Sequence, residues 1–393
     1  MKRFLSFVFV LVLLFSNSTY AMPQTAAEET KEVLELDSRS AVLVEAASGK
    51  VIYEKNADER LKPASVTKVM TLLLIFDEIA AGKLSYDDIV TVSEHAASMG
   101  GSQCFFEQGE QQTVRDMIKC IEVASGNDAA VAMAEHIAGS EQAFCNMMNE
   151  RAKELGMVNT NFENACGLES SNHYTCARDI ALMSRELMVK HPEITEFSTI
   201  WMDSIIHKTK RGESRFDLAN TNKFLNMYQG ATGLKTGYTS QAKYCMSATA
   251  KRNDIELIAV IMGAETKEIR NGEACRLLDY GFSRCKLYTD TEVLSEKPEV
   301  EIKNGVTGKL KYHADDTHSM VLLDENPDNI VKKIIMYDLK APVYKDDIVG
   351  SVQYSVDGEL ISESFIYADN DIEEMTMKYS VMEITRRIFI ARD

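Results

Sequence analysis

Three short motifs constrain this chain more than anything else in it: Ser65-Val-Thr-Lys68, Ser125-Gly-Asn127 and Lys235-Thr-Gly237. Their residue types complement one another, so a fold that uses them must bring an early, a middle and a late segment to one cleft. Each motif alone is weak. Ser240-Gln-Ala-Lys243 and Ser283-Arg-Cys-Lys286 repeat the first pattern and Ser170-Ser-Asn172 the second, whereas Lys235-Thr-Gly237 occurs once. Order and context separate the set from its decoys.

Pro63-Ala64 leads into residues 65–79, a stretch without internal Gly or Pro and with apolar Val66, Val69, Met70, Leu73, Leu74 and Phe76. The spacing predicts a mostly buried helix opening at Ser65, with Ser65 and Lys68 one turn apart on one face. Ser240 and Lys243, if extended, would face opposite sides of a strand. Taken singly, Ser65 reads as a helix cap and Lys235-Thr-Gly237 as an edge strand with a solvated lysine. Taken together, they supply a nucleophile, a base, a proton relay and a carboxylate anchor. Lys68 acts as a base only when neutral, and burial and a second cation both push its pKa down. Lys235 is that second cation and also attracts a substrate carboxylate. Ser125 links the two lysines and passes a proton to a leaving amine, while Asn127 holds a substrate amide. Thr236 adds a hydroxyl for the carboxylate, and Gly237 lets a substrate backbone approach closely. Those parts open an amide through an acyl-serine intermediate without histidine.

Lys2 and Arg3 precede an apolar run at 4–15, followed by Thr19-Tyr20-Ala21. The run is short for a membrane span, so 1–21 reads as a cleaved signal peptide, with a retained N-terminal anchor as the alternative. Either way the chain is expected to be exported and to work in the cell envelope. A net charge of −17 with no basic stripe argues against nucleic acid as a partner. A hydrophobic content of 45% supports a large core and two domains. The eight cysteines (Cys104, Cys120, Cys145, Cys166, Cys176, Cys245, Cys275 and Cys285) form no CxxC pair. They read as mostly buried free thiols rather than as a zinc or thioredoxin-like site. No metal or other cofactor is expected.

After a polar leader at 22–38, apolar runs at 41–46 and 51–55 flank Ala47-Ser-Gly-Lys50 and predict a β-hairpin. Helical patterns dominate 113–187. Three strand-like runs follow at 235–239, 244–249 and 256–262, then a closing helix at 273–280. Early and late strands in one antiparallel sheet, flanked by helices and a helical lobe, give an α/β domain over 39–291. Short β-rich runs separated by turn residues predict a small β-sandwich-like domain over 292–370. The tail, 371–393, reads as a helix with Met377, Val381, Ile384 and Ile388 on one face. A membrane-surface anchor and a helix packed on protein both fit it.

At this point the chain resembles the penicillin-binding D-alanyl-D-alanine carboxypeptidases, the low-molecular-mass serine peptidases that trim peptidoglycan. Beyond the three motifs, the resemblance rests on Pro63-Ala64-Ser65, Gly126-Asn127-Asp128-Ala129, Asn164-Ala-Cys-Gly-Leu168, His173-Tyr-Thr175, Ala177-Arg-Asp179 and Gly230-Ala-Thr-Gly-Leu-Lys235. It implies a β-lactamase/transpeptidase-like fold and hydrolysis of the terminal D-Ala from stem peptides ending in D-Ala-D-Ala, with acylation by β-lactam antibiotics. It makes Ser65 the acylated nucleophile, Lys68 its base, Ser125 the relay and Lys235 the carboxylate residue. Backbone N–H groups of Ser65 and Tyr238 form the oxyanion hole. Arg270 matches the family arginine that helps hold the terminal carboxylate, with a solvated surface arginine as its alternative. Met99-Gly-Gly-Ser102 resembles a mobile flap beside the cleft. Tyr238 stands where some relatives carry His. A transpeptidase, a class A-like β-lactamase and an inactive penicillin-sensing protein share parts of this pattern. The lactamase needs an ExxLN loop, which is absent between Asn127 and Lys235. A zinc carboxypeptidase lacks its HExxH.

Overall fold

The computed structural model describes residues 34–296, 300–306 and 309–390. The proposed signal peptide at 1–21 and the leader up to 33 lie outside the described residues. The two apolar runs around Ala47-Ser-Gly-Lys50 pair as an antiparallel hairpin, β1 (Ser40–Glu45) and β2 (Val51–Lys55). Three late strands complete the sheet: β3 (Ala231–Thr239), β4 (Lys243–Arg252) and β5 (Ile255–Ala264). The order is β2-β1-β5-β4-β3, with every neighbour antiparallel. The early hairpin therefore docks on the late strands, with Leu43 opposite Ala259.

Strand β5 is apolar at nearly every position because both of its faces are covered, a pattern common where helices cover both sides of a sheet. Val42, Val44, Ile258, Val260 and Met262 belong to the main core. On the other face Leu43, Leu257 and Ile52 close around Gly281 of α6 (Lys267–Arg284), where a Cβ would lie 2.6 Å from Leu257. Side chains one residue apart on a strand point to opposite faces, so one strand serves both layers.

The main core continues through the helical lobe: α1 (Lys68–Ala80), α2 (Val114–Glu122), α3 (Asn127–Ala138), α4 (Glu141–Glu154) and α5 (Ala177–Lys190). Helix α1 runs through its centre and is buried from Lys68 to Phe76. Side-chain oxygens of Thr113 and Ser140 and the Cys176 sulfur cap three of these helices. In this part of the chain the structure departs from the sequence expectations twice. The closing helix starts at Lys267 rather than near 273, because the Thr266 hydroxyl caps it by accepting from Ile269 N. A hairpin of Met202–Thr209 with Gly212–Ala219 was not anticipated. Its charged, largely exposed residues hide the strand alternation.

Downstream, Cys285–Asp290 pairs with His318–Leu323. A four-stranded antiparallel sheet follows in the order Tyr312–His313, Glu359–Ala368, Ile348–Val356, Val331–Met336. Its own core gathers Leu322, Val349, Val352, Tyr354 and Ile366. Tyr354 is fully buried, and its hydroxyl donates to Asp290 Oδ2 at 2.8 Å. The last helix, α7 (Met377–Ile390), starts later than the expected 371, because Ile372 is buried in the core of this region and bridges Val343; the helix exposes Met377, Val381, Ile384 and Ile388. Among the described residues no helix is long and apolar enough to cross a membrane. The eight cysteines are free thiols, seven of them buried.

Candidate active site

Ser65 sits in a short 3-10 turn, Ala64–Thr67, directly ahead of α1 rather than inside it. Ala64 adopts φ +48°, and no side chain caps either segment. The cap reading of Ser65 therefore does not apply. The tight turn instead presents Ser65 to a cleft of about 670 Å³, shared with Ser125, Thr236, Gly237, Tyr238 and Arg270.

Lys68 opens α1 and is completely buried. Its Nζ lies 3.0 Å from Ser65 Oγ, 2.6 Å from Asn127 Oδ1 and 2.9 Å from the Cys166 carbonyl oxygen. Burial drives its pKa down to about 7; the Lys235 charge pushes the same way, and the Cys166 thiol and Asp128 push back. The Cys166 carbonyl is fixed by Asn164, whose Oδ1 accepts from the backbone N–H groups of Cys166, Gly167 and Leu168. Gly167 is at φ +89°, and a Cβ there would lie 1.9 Å from Ala64 O, so this loop rests directly on the Ser65 turn. From the other side His173 Nδ1 accepts from Glu163 N at 3.0 Å, which leaves Nε2 to donate to Thr67 Oγ1 at 2.8 Å. Burial pushes His173 down to about 4, so it stays neutral and structural.

Asn127 is held from both sides. Its Oδ1 accepts from Lys68, and its Nδ2 donates to Gly100 O at 2.7 Å, so both ends of the amide are engaged inside the protein. Asn127 N also donates to Ser102 O at 2.7 Å. The Met99-Gly-Gly-Ser102 loop is thereby tied to the second motif at two points. Ser125 is held at φ +59° and is almost fully buried, and its Oγ has no hydrogen-bond partner among the described residues.

Strand β3 delivers the third motif. Gly237 passes so close to the nucleophile turn that a Cβ would lie 2.8 Å from Ser65 N and 3.0 Å from Pro63 O. Only glycine allows this approach, which brings the adjoining Tyr238 beside Ser65. The Tyr238 ring packs 4.4 Å from that of Tyr244, its cross-strand partner, at the rim of the cleft. Lys235 is 1% exposed. Burial pushes it down to about 8; the Glu122 carboxyl pushes up and Arg270 pushes down. Arg270 is 7% exposed, so the alternative of a solvated surface arginine does not hold. Its guanidinium stands 5.8 Å from the Tyr244 ring centre, and its Nε donates to Asn271 Oδ1.

The decoys lie elsewhere. Ser240 reaches Glu169 and Lys243 pairs with Glu265, while Ser283 donates to Tyr280 O and Ser170 to Glu163. Sequence reasoning missed Glu122. Its signal was an acidic residue one position beyond the apolar set Val114, Met117, Ile118 and Ile121, three residues before Ser125. Among the described residues no group of three or more His, Cys, Asp or Glu is placed to hold a metal.

Residues 24–266 match the family model of D-alanyl-D-alanine carboxypeptidases, and residues 282–374 match that of the penicillin-binding protein 5 C-terminal domain. The chain is 40% identical over 376 residues to D-alanyl-D-alanine carboxypeptidase DacF of Bacillus subtilis (strain 168), covering 95% of each. It is 32% identical over 365 residues to D-alanyl-D-alanine carboxypeptidase DacC of Escherichia coli (strain K12), covering 90% of this chain and 89% of that one. The crystal structure of penicillin binding protein 5 from Haemophilus influenzae superposes with a TM-score of 0.73 at 30% identity, over 87% of this chain and 99% of that one. With its three motifs gathered at one cleft and both parts of its length matched, the chain belongs to the D-alanyl-D-alanine carboxypeptidase family.

Proposed function

We propose that the chain hydrolyses the terminal D-Ala from peptidoglycan stem pentapeptides through an acyl-Ser65 intermediate, and that β-lactams acylate the same hydroxyl. One observation carries the proposal: a fully buried amine with its pKa lowered to about 7 stands 3.0 Å from Ser65 Oγ. When Lys68 is neutral, its two N–H bonds serve Asn127 Oδ1 and Cys166 O, and its lone pair faces the Ser65 hydroxyl.

Lys68 takes the hydroxyl proton as Ser65 Oγ attacks the carbonyl carbon of the penultimate D-Ala. The oxyanion that forms is met by the Ser65 and Tyr238 N–H groups. The C–N bond then breaks as Ser125 gives its hydroxyl proton to the nitrogen, which leaves as D-Ala, and the proton that Lys68 took from Ser65 replaces it on Ser125, so that Lys68 is neutral again. Lys235, Thr236 and Arg270 hold the departing carboxylate, with Gly237 giving the substrate backbone room. Asn127 orients Lys68, and its Nδ2 meets a substrate carbonyl only by giving up Gly100 O. Water, deprotonated by Lys68, hydrolyses the ester and frees Ser65. No cofactor enters these steps.

The same reading divides the chain into a peptidase domain and a separate β domain, with the join at Cys285 rather than at the expected 291/292, because Cys285–Asp290 pairs with His318–Leu323. It places the protein on the outer side of the cytoplasmic membrane after removal of 1–21. The exposed apolar residues of α7 (Val381, Ile384 and Ile388) suit a membrane surface. Binding to anionic vesicles that is lost in Ile384→Asp supports this placement, and equal binding by both proteins refutes it.

Mass spectrometry after penicillin exposure tests the proposal. A stable adduct on Ser65, absent in Ser65→Ala, is expected, together with steady release of D-Ala from a diacyl-D-Ala-D-Ala peptide. An adduct without D-Ala release indicates a sensor, and rapid penicillin turnover indicates a β-lactamase.

A further inference from the structure

Arg270 is a buried cation with a neutral hydrogen-bond partner. It lines the cleft beside Glu268 and Asn271. Among the described residues its guanidinium forms no ion pair, and Glu268, two positions earlier on α6, pairs with Lys267 at 3.8 Å. The hydrogen bond that Arg270 Nε donates goes to Asn271 Oδ1 at 3.0 Å. Adjacent helical residues do not face each other, so this bond bends both side chains toward one lip of the cleft. The amide is also held from a second segment, because Asn271 Nδ2 donates to Met227 Sδ at 3.2 Å. Next to Met227, the Tyr228 hydroxyl donates to Asp279 Oδ1 of α6 at 2.7 Å and its ring stacks on Phe224, which ties that segment to the helix. Turning the amide over would set Nδ2 against the Arg270 Nε–H, donor against donor, so its orientation is fixed.

We propose that Asn271 is a positioning residue that sets which edge of the Arg270 guanidinium meets the substrate carboxylate. This rests on the function proposed above, in which Arg270 helps hold that group. A guanidinium offers a carboxylate two bidentate edges, one made by Nε with an Nη and the other by the two Nη atoms. The Asn271 oxygen occupies Nε, which closes the first edge and leaves the outer one for the ligand. The neutrality of the partner matters as much as its place. An aspartate there would accept the same hydrogen bond but pair with the cation, and the substrate carboxylate would then compete with a permanent one. The amide orients the guanidinium and leaves its charge to the cleft.

The experiment compares Ser65 acylation by benzylpenicillin, which carries the carboxylate, with that by its methyl ester, which does not, in the intact wild type, Asn271→Leu and Asn271→Asp. Asn271→Leu removes the acceptor and leaves the ligand to order Arg270, a cost of up to about tenfold in binding. Acylation by benzylpenicillin is expected to slow about tenfold in Asn271→Leu and at least as much in Asn271→Asp, while the ester slows less than about twofold in either. With a diacyl-D-Ala-D-Ala peptide, KM rises by about the same factor and kcat stays within about twofold, because the carboxylate is held alike before and in the transition state. Equal slowing of both penicillins, an unchanged rate in either variant, or a fall in kcat alone overturns the proposal. If Asn271→Leu does not fold, Asn271→Asp, which keeps the shape of the side chain, decides by the same comparison. The wild-type Ser65 adduct in the same samples reports separately on the underlying function.

Discussion

The cleft and the C-terminal sheet bury polar groups in different ways. Around the cleft the protein buries Lys68, Lys235, Glu122, Asn127 and Ser125, and it leaves Ser125 Oγ and Glu122 Oε2 without hydrogen-bond partners. Among the described residues the region from Cys285 onward buries only two polar residues beyond its tyrosine, Ser351 and Ser364; neither is charged, and Ser351 Oγ likewise has no hydrogen-bond partner there. Both regions have well-packed apolar cores, so the difference is not one of folding quality. Buried charge costs stability unless it is compensated. Among the described residues Lys68 and Lys235 are the only buried lysines, and both belong to the motifs that meet at the cleft.

Substitutions in the two regions should therefore separate activity from stability, and the expected effects descend from the cleft outward. Ser65→Ala should abolish the penicillin adduct altogether while leaving the melting temperature nearly unchanged. Lys68→Ala should lower the acylation rate by about 10³-fold, the scale of a lost general base. Residual acylation within tenfold of wild type would mean that another group deprotonates Ser65. Because Lys68 must be neutral and titrates near 7, acylation should fall about tenfold for each pH unit below that value. A profile flat from pH 5 to 7 would remove Lys68 from the role.

Gly167→Ala joins the two kinds of effect. A Cβ placed 1.9 Å from Ala64 O, at φ +89°, should cost about 2–4 kcal/mol and displace the Ser65 turn. Thermal unfolding together with acylation kinetics should show both losses. In the C-terminal sheet, Tyr354→Phe removes the bond to Asp290 and should cost about 1–2 kcal/mol with kcat/KM unchanged. A matching loss of activity would break the contrast. Smallest is Lys50→Ala, which removes a partly exposed ion pair to Glu325 and should change stability by less than about 1 kcal/mol.

The residues that could be read in advance were those whose chemistry is written in short patterns: Ser65, Lys68, Ser125, Lys235 and the glycine after Thr236. The hairpin of β1 and β2 and the apolar strand β5 were likewise legible, because period and turn residues agree there. Less visible were the groups that act through tertiary contact. Nothing local indicates that Cys166 lends its carbonyl to Lys68, or that Asn164 fixes that carbonyl. Nor does the sequence indicate that the Asn127 amide joins Lys68 to Gly100. Ser65 fell in a 3-10 turn ahead of its helix because Ala64 turns left-handed, which side-chain periodicity does not report. The Met202–Thr209 hairpin escaped notice because its strands are charged and mostly exposed.

Lysine ¹⁵Nζ NMR, with the Lys68 resonance assigned by its loss in Lys68→Arg, measures the central quantity directly. The structure predicts that this amine titrates near pH 7, so that a large share is neutral when the enzyme works. Titration near the ordinary lysine value of about 10.5 would contradict the account, because Ser65 would then have no base beside it.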